Sequence, residues 1–443
     1  MAANADPATL LRSRSYLGVL VIAALIGAPV SAAAYGFLAL VSYLESELFT
    51  HLPHALGFTA APTWWPVPIV LTGAVLVAVA ITTLPGRGGP SPAGGFKLHK
   101  PPTAAELPGL VAAALATLCF GLVLGPEMPL IALGGGLAAL AIRLIKRDTP
   151  EQAATVVASA GSFAAVSTLL GSPVIGAFLL MEASGLGGPM LGLVLAPGLL
   201  AAGIGSLIFI GLDSLTGLGT FSLAIPGLPA FSRPNVGEFA WAIVIGLAAA
   251  LTGTGLRWLA RRLQPIADRR TMLVLPVAGL VVAGLAIAFT SATGKPASDV
   301  LFSGQSALGP LVHSAATYSA GALVLLVICK GLAYAVSLGS FRGGPIFPAM
   351  FIGAAGGMAL SHLPGLPMVA GVAMGIGAMS AVMLTLPLTS VLLATLILGS
   401  DGLALMPLAI VSVIVAYVAS ARLAPQPASN GTARREPAVP DHG

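Results

Sequence analysis

Three features of this chain predict an all-α polytopic membrane protein made of two homologous halves of broken helices. Apolar runs longer than the ~20 residues that cross a bilayer recur along it. Only 8% of its 443 residues are charged and 57% are hydrophobic, whereas an ordinary soluble domain carries roughly 25% charged residues. Helix breakers, 55 Gly and 35 Pro, fall inside the apolar runs, and two Gly/Pro motifs recur in the same order. The mean hydropathy of +0.98 excludes a soluble globular protein. Continuous rather than alternating apolar segments exclude a β-barrel.

Taken in order, the first apolar run extends from Tyr16 to Val41 behind Arg12 and Arg14. It is too long for a signal peptide and reads as a retained spanning helix, kinked near Pro29. Further apolar stretches cover 66–84, 107–124, 128–145, 153–182, 189–211, 237–260, 272–290, 317–338, 345–361, 367–383, 386–399 and 402–420. Several are too short to cross alone. Irregular backbone at membrane depth survives only where protein buries it or it lines a polar cavity, so this Gly/Pro content points to a transporter or channel. Cys119 and Cys329 lie in apolar runs and read as small core residues. The net charge of +5 arises from 20 basic and 15 acidic side chains. Basic residues cluster at Arg143, Lys146 and Arg147, at Arg257, Arg261, Arg262, Arg269 and Arg270, and in the tails. That pattern marks cytoplasmic segments, not a nucleic-acid footprint. The expected organisation is a cytoplasmic N-terminus (1–14), a first membrane repeat (15–215), an inter-repeat segment (216–234), a second repeat (235–420) and a disordered tail (421–443) rich in Pro, Ala and Arg.

The two halves come from an internal match. Residues 125–134 and 344–353 share G-P-x-x-P-x4-G at an offset of 344 − 125 = 219. Gly161, Ala164 and Pro173 recur as Gly375, Ala378 and Pro387 at an offset of 375 − 161 = 214. Helix breaks at equivalent places in duplicated halves point to a binding site between them. In each motif a loop enters an apolar helix at a proline, where the missing N–H costs nothing. Such a helix start turns free N–H groups and the positive end of a dipole toward the membrane interior, which is an anion site. Gly86-Arg87-Gly88-Gly89-Pro90 supplies a third break after the run 66–84. Three converging breaks would make a backbone cradle for a small anion.

Within that cradle Glu127 has two readings. Its carboxylate either gates the site, filling the anion's place when ionised and leaving it when protonated, or serves as a capping carboxylate permanently bonded to N–H groups. Glu182, the other acid in apolar surroundings, is either a second proton station or a boundary carboxylate. Lys330 either attracts anions or snorkels to an interface. None of the six His sits in a metal-ligand or triad arrangement. No cofactor and no enzyme chemistry are expected.

At these loops the chain resembles the CLC family of voltage-gated chloride channels and chloride/proton antiporters, in order from about residue 15 to 420. The segment Ser337 to Ala354 is similar to the family's filter segment ending G-x-F-x-P and continuing F-I-G-A. Gly125 to Pro129 is similar to G-[KR]-E-G-P, which implies that Glu127 is the gating glutamate, and Gly86 to Pro90 stands in the place of G-S-G-I-P. The resemblance implies two inverted-topology repeats, a homodimer, and one ion pathway per subunit lined by Gly86, Arg87, Gly88, Pro90, Gly125, Met128, Gly344, Ile346 and Phe347.

The departures bear on mechanism. Arg87 replaces the filter serine, Pro345 removes an N–H from the third motif, and no tyrosine follows residue 420 where the family has a late pore tyrosine, Tyr417 coming too early. Ala183 falls on the antiporters' inner relay, with Glu182 just before it. The expected function is passive movement of chloride or another small anion, gated by Glu127, in the plasma (inner) membrane of a bacterium. The alternatives are a chloride/proton antiporter with Glu182 as inner relay and a non-conducting structural relative. Expected partners are the anion, protons in the antiporter case, the lipid bilayer and a second copy, with no nucleic acid.

Overall fold

The computed structural model describes residues 12–145, 149, 151–167, 169–170, 172–185, 189–223, 225, 229, 231, 233–399 and 402–424. The expectations for residues 1–11, for Lys146 and Arg147, for parts of 216–234 and for the tail beyond 424 lie outside these. The main helices are α1 Arg14–Ser46, α2 Pro66–Thr83, α3 Leu107–Leu118, α4 Glu127–Ile145, α5 Glu151–Ala165, α6 Pro173–Ser184, α7 Pro189–Thr216 and α8 Val236–Arg269. They continue as α9 Thr271–Thr293, α10 Gln305–His313, α11 Ala320–Ser340, α12 Ile346–Leu360, α13 Met368–Leu384, α14 Pro387–Leu396 and α15 Gly402–Leu423. Eight of them, α1, α2, α4, α7, α8, α9, α11 and α15, are long and apolar enough to cross a membrane. α3, α5, α6, α12, α13 and α14 are apolar but only 10–17 residues long, or the part of them that is apolar is. At 1.5 Å per residue most of these fall short of a ~30 Å hydrocarbon core.

Local sequence sets many of these boundaries. Proline opens α2, α6 and α14, where its fixed φ suits the first turn. Ser172 caps α6 by accepting from the Val174 N–H at 3.2 Å, and Asn235 with Glu238 forms a capping box at α8. The single apolar run expected over 153–182 is in fact two helices, because α5 stops at Ala165 and Ser172-Pro173 starts α6. Hydropathy stays high through that break, so only the cap and proline mark it.

Helix pairing recurs along the chain. α4 packs on α5 and α12 on α13, α1 on α7 and α8 on α15, and α5 on α7 and α13 on α15. At the first crossing a Cβ on Gly134 would run into the Gly161 carbonyl, and at the second a Cβ on Gly353 would run into the Gly375 carbonyl. These are the glycines of the two sequence matches, and in an apolar solvent such close backbone approach is what holds helices together. Equivalent residues also meet across the halves. Gly125 and Gly344 form an isolated antiparallel bridge, the Gly125 N–H donating to the Gly344 carbonyl at 2.8 Å and the Gly344 N–H to the Gly125 carbonyl at 2.6 Å. Reciprocal bonding of two equivalent residues is the relation an inverted pair requires.

Lys330 follows neither sequence expectation. It is fully buried on α11, and its Nζ donates to the carbonyls of Asp299, Val300, Leu301 and Phe302 at 2.9–3.3 Å while lying 4.4 Å from the Phe351 ring centroid. Four carbonyls and a π face replace the water that snorkelling would have reached.

Candidate functional site

The bridge between Gly125 and Gly344 sets the starts of α4 and α12 against each other. Glu127 opens α4 and Ile346 opens α12, each just after a proline that begins the turn. Glu127 is fully buried. Its Oε1 accepts from the Ile346 N–H at 2.5 Å, whereas its Oε2 has no hydrogen-bond partner among the described residues. The carboxylate of one half therefore sits on the helix start of the other, half satisfied. Both glycines are needed for this placement, because a Cβ at Gly125 or at Gly344 would fall on the Glu127 carboxyl group. Phe347 is buried beside it, its ring edge 2.9 Å from where a Gly125 Cβ would stand. Tyr334, fully buried on α11, donates its hydroxyl to the Pro345 carbonyl at 2.7 Å and ties down the start of α12.

A cavity of about 1540 Å³ has in its lining Met128 and Gly343, the chain neighbours of the buried Glu127 and Gly344. Arg87, Lys97, Lys100, Arg143, Arg269 and Arg342 line it against the carboxylates of Glu106, Glu151 and Asp268. Six cations against three carboxylates leave a positive field, which concentrates anions in a concave site. On the wall, Glu106 accepts from the Thr103 N–H at 2.8 Å and from its hydroxyl at 2.9 Å. These bonds hold the Glu106 carboxyl below the usual carboxylate range.

The third break also lines this cavity, with Gly86, Arg87 and Pro90 exposed. Gly86, Arg87, Gly88 and Gly89 follow one another at φ of 77°, 50°, 71° and 89°, a left-handed run that costs a non-glycine residue about 1–2 kcal/mol. The Arg87 side chain makes no hydrogen bond or ion pair among the described residues. Gly88 is buried, and a Cβ there would lie 2.8 Å from the Ala113 Cβ and 3.4 Å from the Arg342 Cγ. The three breaks thus meet, the third reaching the other two through Arg342.

Glu182 stands apart. Its Oε1 accepts from the Leu388 N–H at 3.0 Å, and its Oε2 from the Thr389 N–H at 2.8 Å and the Thr389 hydroxyl at 2.6 Å. It caps the start of α14 from α6 and is not among the residues lining the cavity. Ala183 beside it carries nothing that titrates. Arg342 and Tyr334 were not singled out by sequence reasoning. A lone arginine within Gly339-Ser340-Phe341-Arg342-Gly343-Gly344 was the available signal for the first, and a tyrosine inside the apolar run 317–338 for the second.

A family model described as "Voltage gated chloride channel" matches residues 69–421. Among curated proteins, YfeO of Salmonella paratyphi A, named for ion transport, is 31% identical over 361 residues, covering 80% of this chain and 84% of the relative. YfeO of Salmonella choleraesuis is 32% identical over the same length. Among solved structures, a slow cyanobacterial Cl−/H+ antiporter aligns with a TM-score of 0.73 at 19% identity, over 92% of this chain and 95% of that one. A CLC-type fluoride/proton antiporter aligns with a TM-score of 0.63 at 19% identity, over 91% and 95%. A eukaryotic CLC transporter gives 0.70 at 15% identity, over 92% and 72%. At these identities the solved structures speak for the fold alone.

Proposed function

The chain belongs to the voltage gated chloride channel family, and on that premise we propose that it moves chloride or another small anion passively through a pathway gated by Glu127. The observation that carries this reading is the half-satisfied Glu127 carboxylate on the start of α12, next in the chain to Met128, which lines a cationic cavity. An ionised carboxylate accepts the Ile346 N–H and holds the place of an anion. A protonated one has less claim on that donor, swings away and frees it. Gly86, Arg87, Gly88 and Pro90 lead to this point, and Gly125, Met128, Gly344, Ile346 and Phe347 surround it. A homodimer in a bacterial inner membrane, with repeats over 15–215 and 235–420, belongs to the same reading. The equivalent helix pairings support the two repeats, and the bacterial relatives support the membrane.

The test is chloride flux from proteoliposomes against pH. Because protonation opens the gate, wild-type flux falls as pH rises, by up to about tenfold per unit above the titration point. Glu127→Gln removes the charge that holds the side chain on the Ile346 N–H while keeping its size, and its flux is expected to be high and flat with pH. A mutant that keeps the wild-type profile makes Glu127 a structural cap.

A further inference from the structure

Arg342 lies in the loop between α11 and α12, two residues before Gly344. Only 8% of it is exposed, and it lines the cavity. Its guanidinium has five N–H donors to satisfy, yet the protein meets it with one bond, from Nη1 to the Phe341 carbonyl at 3.2 Å. Its Nε is buried with no partner. No carboxylate comes within ion-pair distance of it among the described residues. Asp268, on the same cavity wall, attracts it from farther off, and Arg87 repels it. A buried cation left this bare is costly unless an anion completes it.

We infer that Arg342 anchors a second anion site on the cavity lining, one that takes planar monovalent oxyanions of the nitrate and bicarbonate class in preference to spherical halides. The preference follows from donor geometry. A guanidinium offers parallel N–H groups in a plane, which two oxygens of a trigonal anion meet as a pair, whereas a halide uses one direction at a time. The bond from Nη1 to the Phe341 carbonyl fixes the plane of the group, and with Nε sealed by the protein the pair left for a ligand is Nη2 and the second Nη1 N–H. Asp268, which also lines the cavity, already offsets part of the Arg342 charge and so favours a monoanion over a dianion. The site is separate from the Glu127 position, since Glu127 takes its bond from Ile346 and Arg342 gives its own to Phe341. The inference deepens the proposed function, resting on it for the direction in which a bound anion moves and on the structure for the binding itself.

The experiment is titration calorimetry of the full-length protein in detergent, with sodium nitrate and with sodium chloride at constant ionic strength, alongside flux of both anions from proteoliposomes. Wild type is expected to bind nitrate about tenfold more tightly than chloride. Arg342→Lys keeps the charge but not the planar fork, and is expected to bind the two anions equally. Arg342→Met fills similar volume without charge and is expected to weaken nitrate binding by tenfold or more. Each variant is checked for a single species by size exclusion, and if Arg342→Met fails that check the Lys variant decides alone. Equal affinities in the wild type, or a nitrate preference that survives Arg342→Lys, overturn the site. Flux that persists without any Arg342-dependent binding overturns the site and leaves the transport reading standing. Arg342-dependent nitrate binding in a protein with no flux of either anion supports the site and overturns the transport reading.

Discussion

Glu182 accepts three hydrogen bonds from Leu388 and Thr389, so both of its oxygens are occupied at the start of α14. Removing it leaves two backbone N–H groups and a hydroxyl without that acceptor. Glu182→Ala is therefore expected to cost about 1–2 kcal/mol of stability, the usual worth of a helix cap, seen as a lower unfolding midpoint in detergent. Flux per folded protein should not change, and a loss of flux in a normally stable variant would make Glu182 part of the pathway. Arg87 makes the opposite case, a cation with no partner on the cavity wall. Arg87→Ser should lower anion flux several-fold at low salt, and the difference should vanish near 1 M salt, where the screening length is about 3 Å. A defect independent of salt would place the guanidinium outside the electrostatic path. Glu127 was legible in sequence because an acid in a helix-start motif inside the membrane has few uses. Arg342 was not, because within a glycine-rich segment read for its backbone a side chain's surroundings depend on the loop packed against it.

Helix crossings explain which glycines matter. Gly353 and Gly375 place two backbones in contact where α12 crosses α13, as Gly134 and Gly161 do where α4 crosses α5. Gly356, also on α12, has open space, its nearest neighbour being Val327 Cγ2 at 4.0 Å from a Cβ. Gly353→Ala should therefore destabilise by about 1–3 kcal/mol through overpacking, while Gly356→Ala should be neutral or gain up to about 1 kcal/mol from helix propensity. Unfolding midpoints of the two variants decide the point, and equal effects would mean that the crossing does not depend on backbone contact. The order and starts of the helices were legible from proline and cap residues. The split of 153–182 into α5 and α6 was less so, because apolar character runs on past α5, where Val166, Leu169 and Leu170 are as buried as the helices around them.

For the molecule as a whole, proton coupling requires a chain of carriers from Glu127 to the far side. Glu182 is bonded to Leu388 and Thr389 and Ala183 cannot titrate, and on the passive reading proposed above neither carries a proton. A chloride gradient across proteoliposomes is expected to drive no protons uphill. Uphill pumping would overturn passive transport, and its abolition by Glu182→Gln would return Glu182 to the relay.

The sequence alone determined the membrane class, the positions of most helix breaks, the duplicated motifs and the pairing of Glu127 with a helix start. Each of these follows from a residue's own properties: the cost of moving charge out of water, the fixed φ of proline, the freedom of glycine. Only the tertiary structure decided where those elements meet. It set the Glu127 carboxylate on the Ile346 N–H, 219 positions away, put Glu182 on the start of α14, and buried Lys330 among four carbonyls. Those outcomes depend on which faces of distant helices are pressed together, and a contact between distant segments has no local signature in either one.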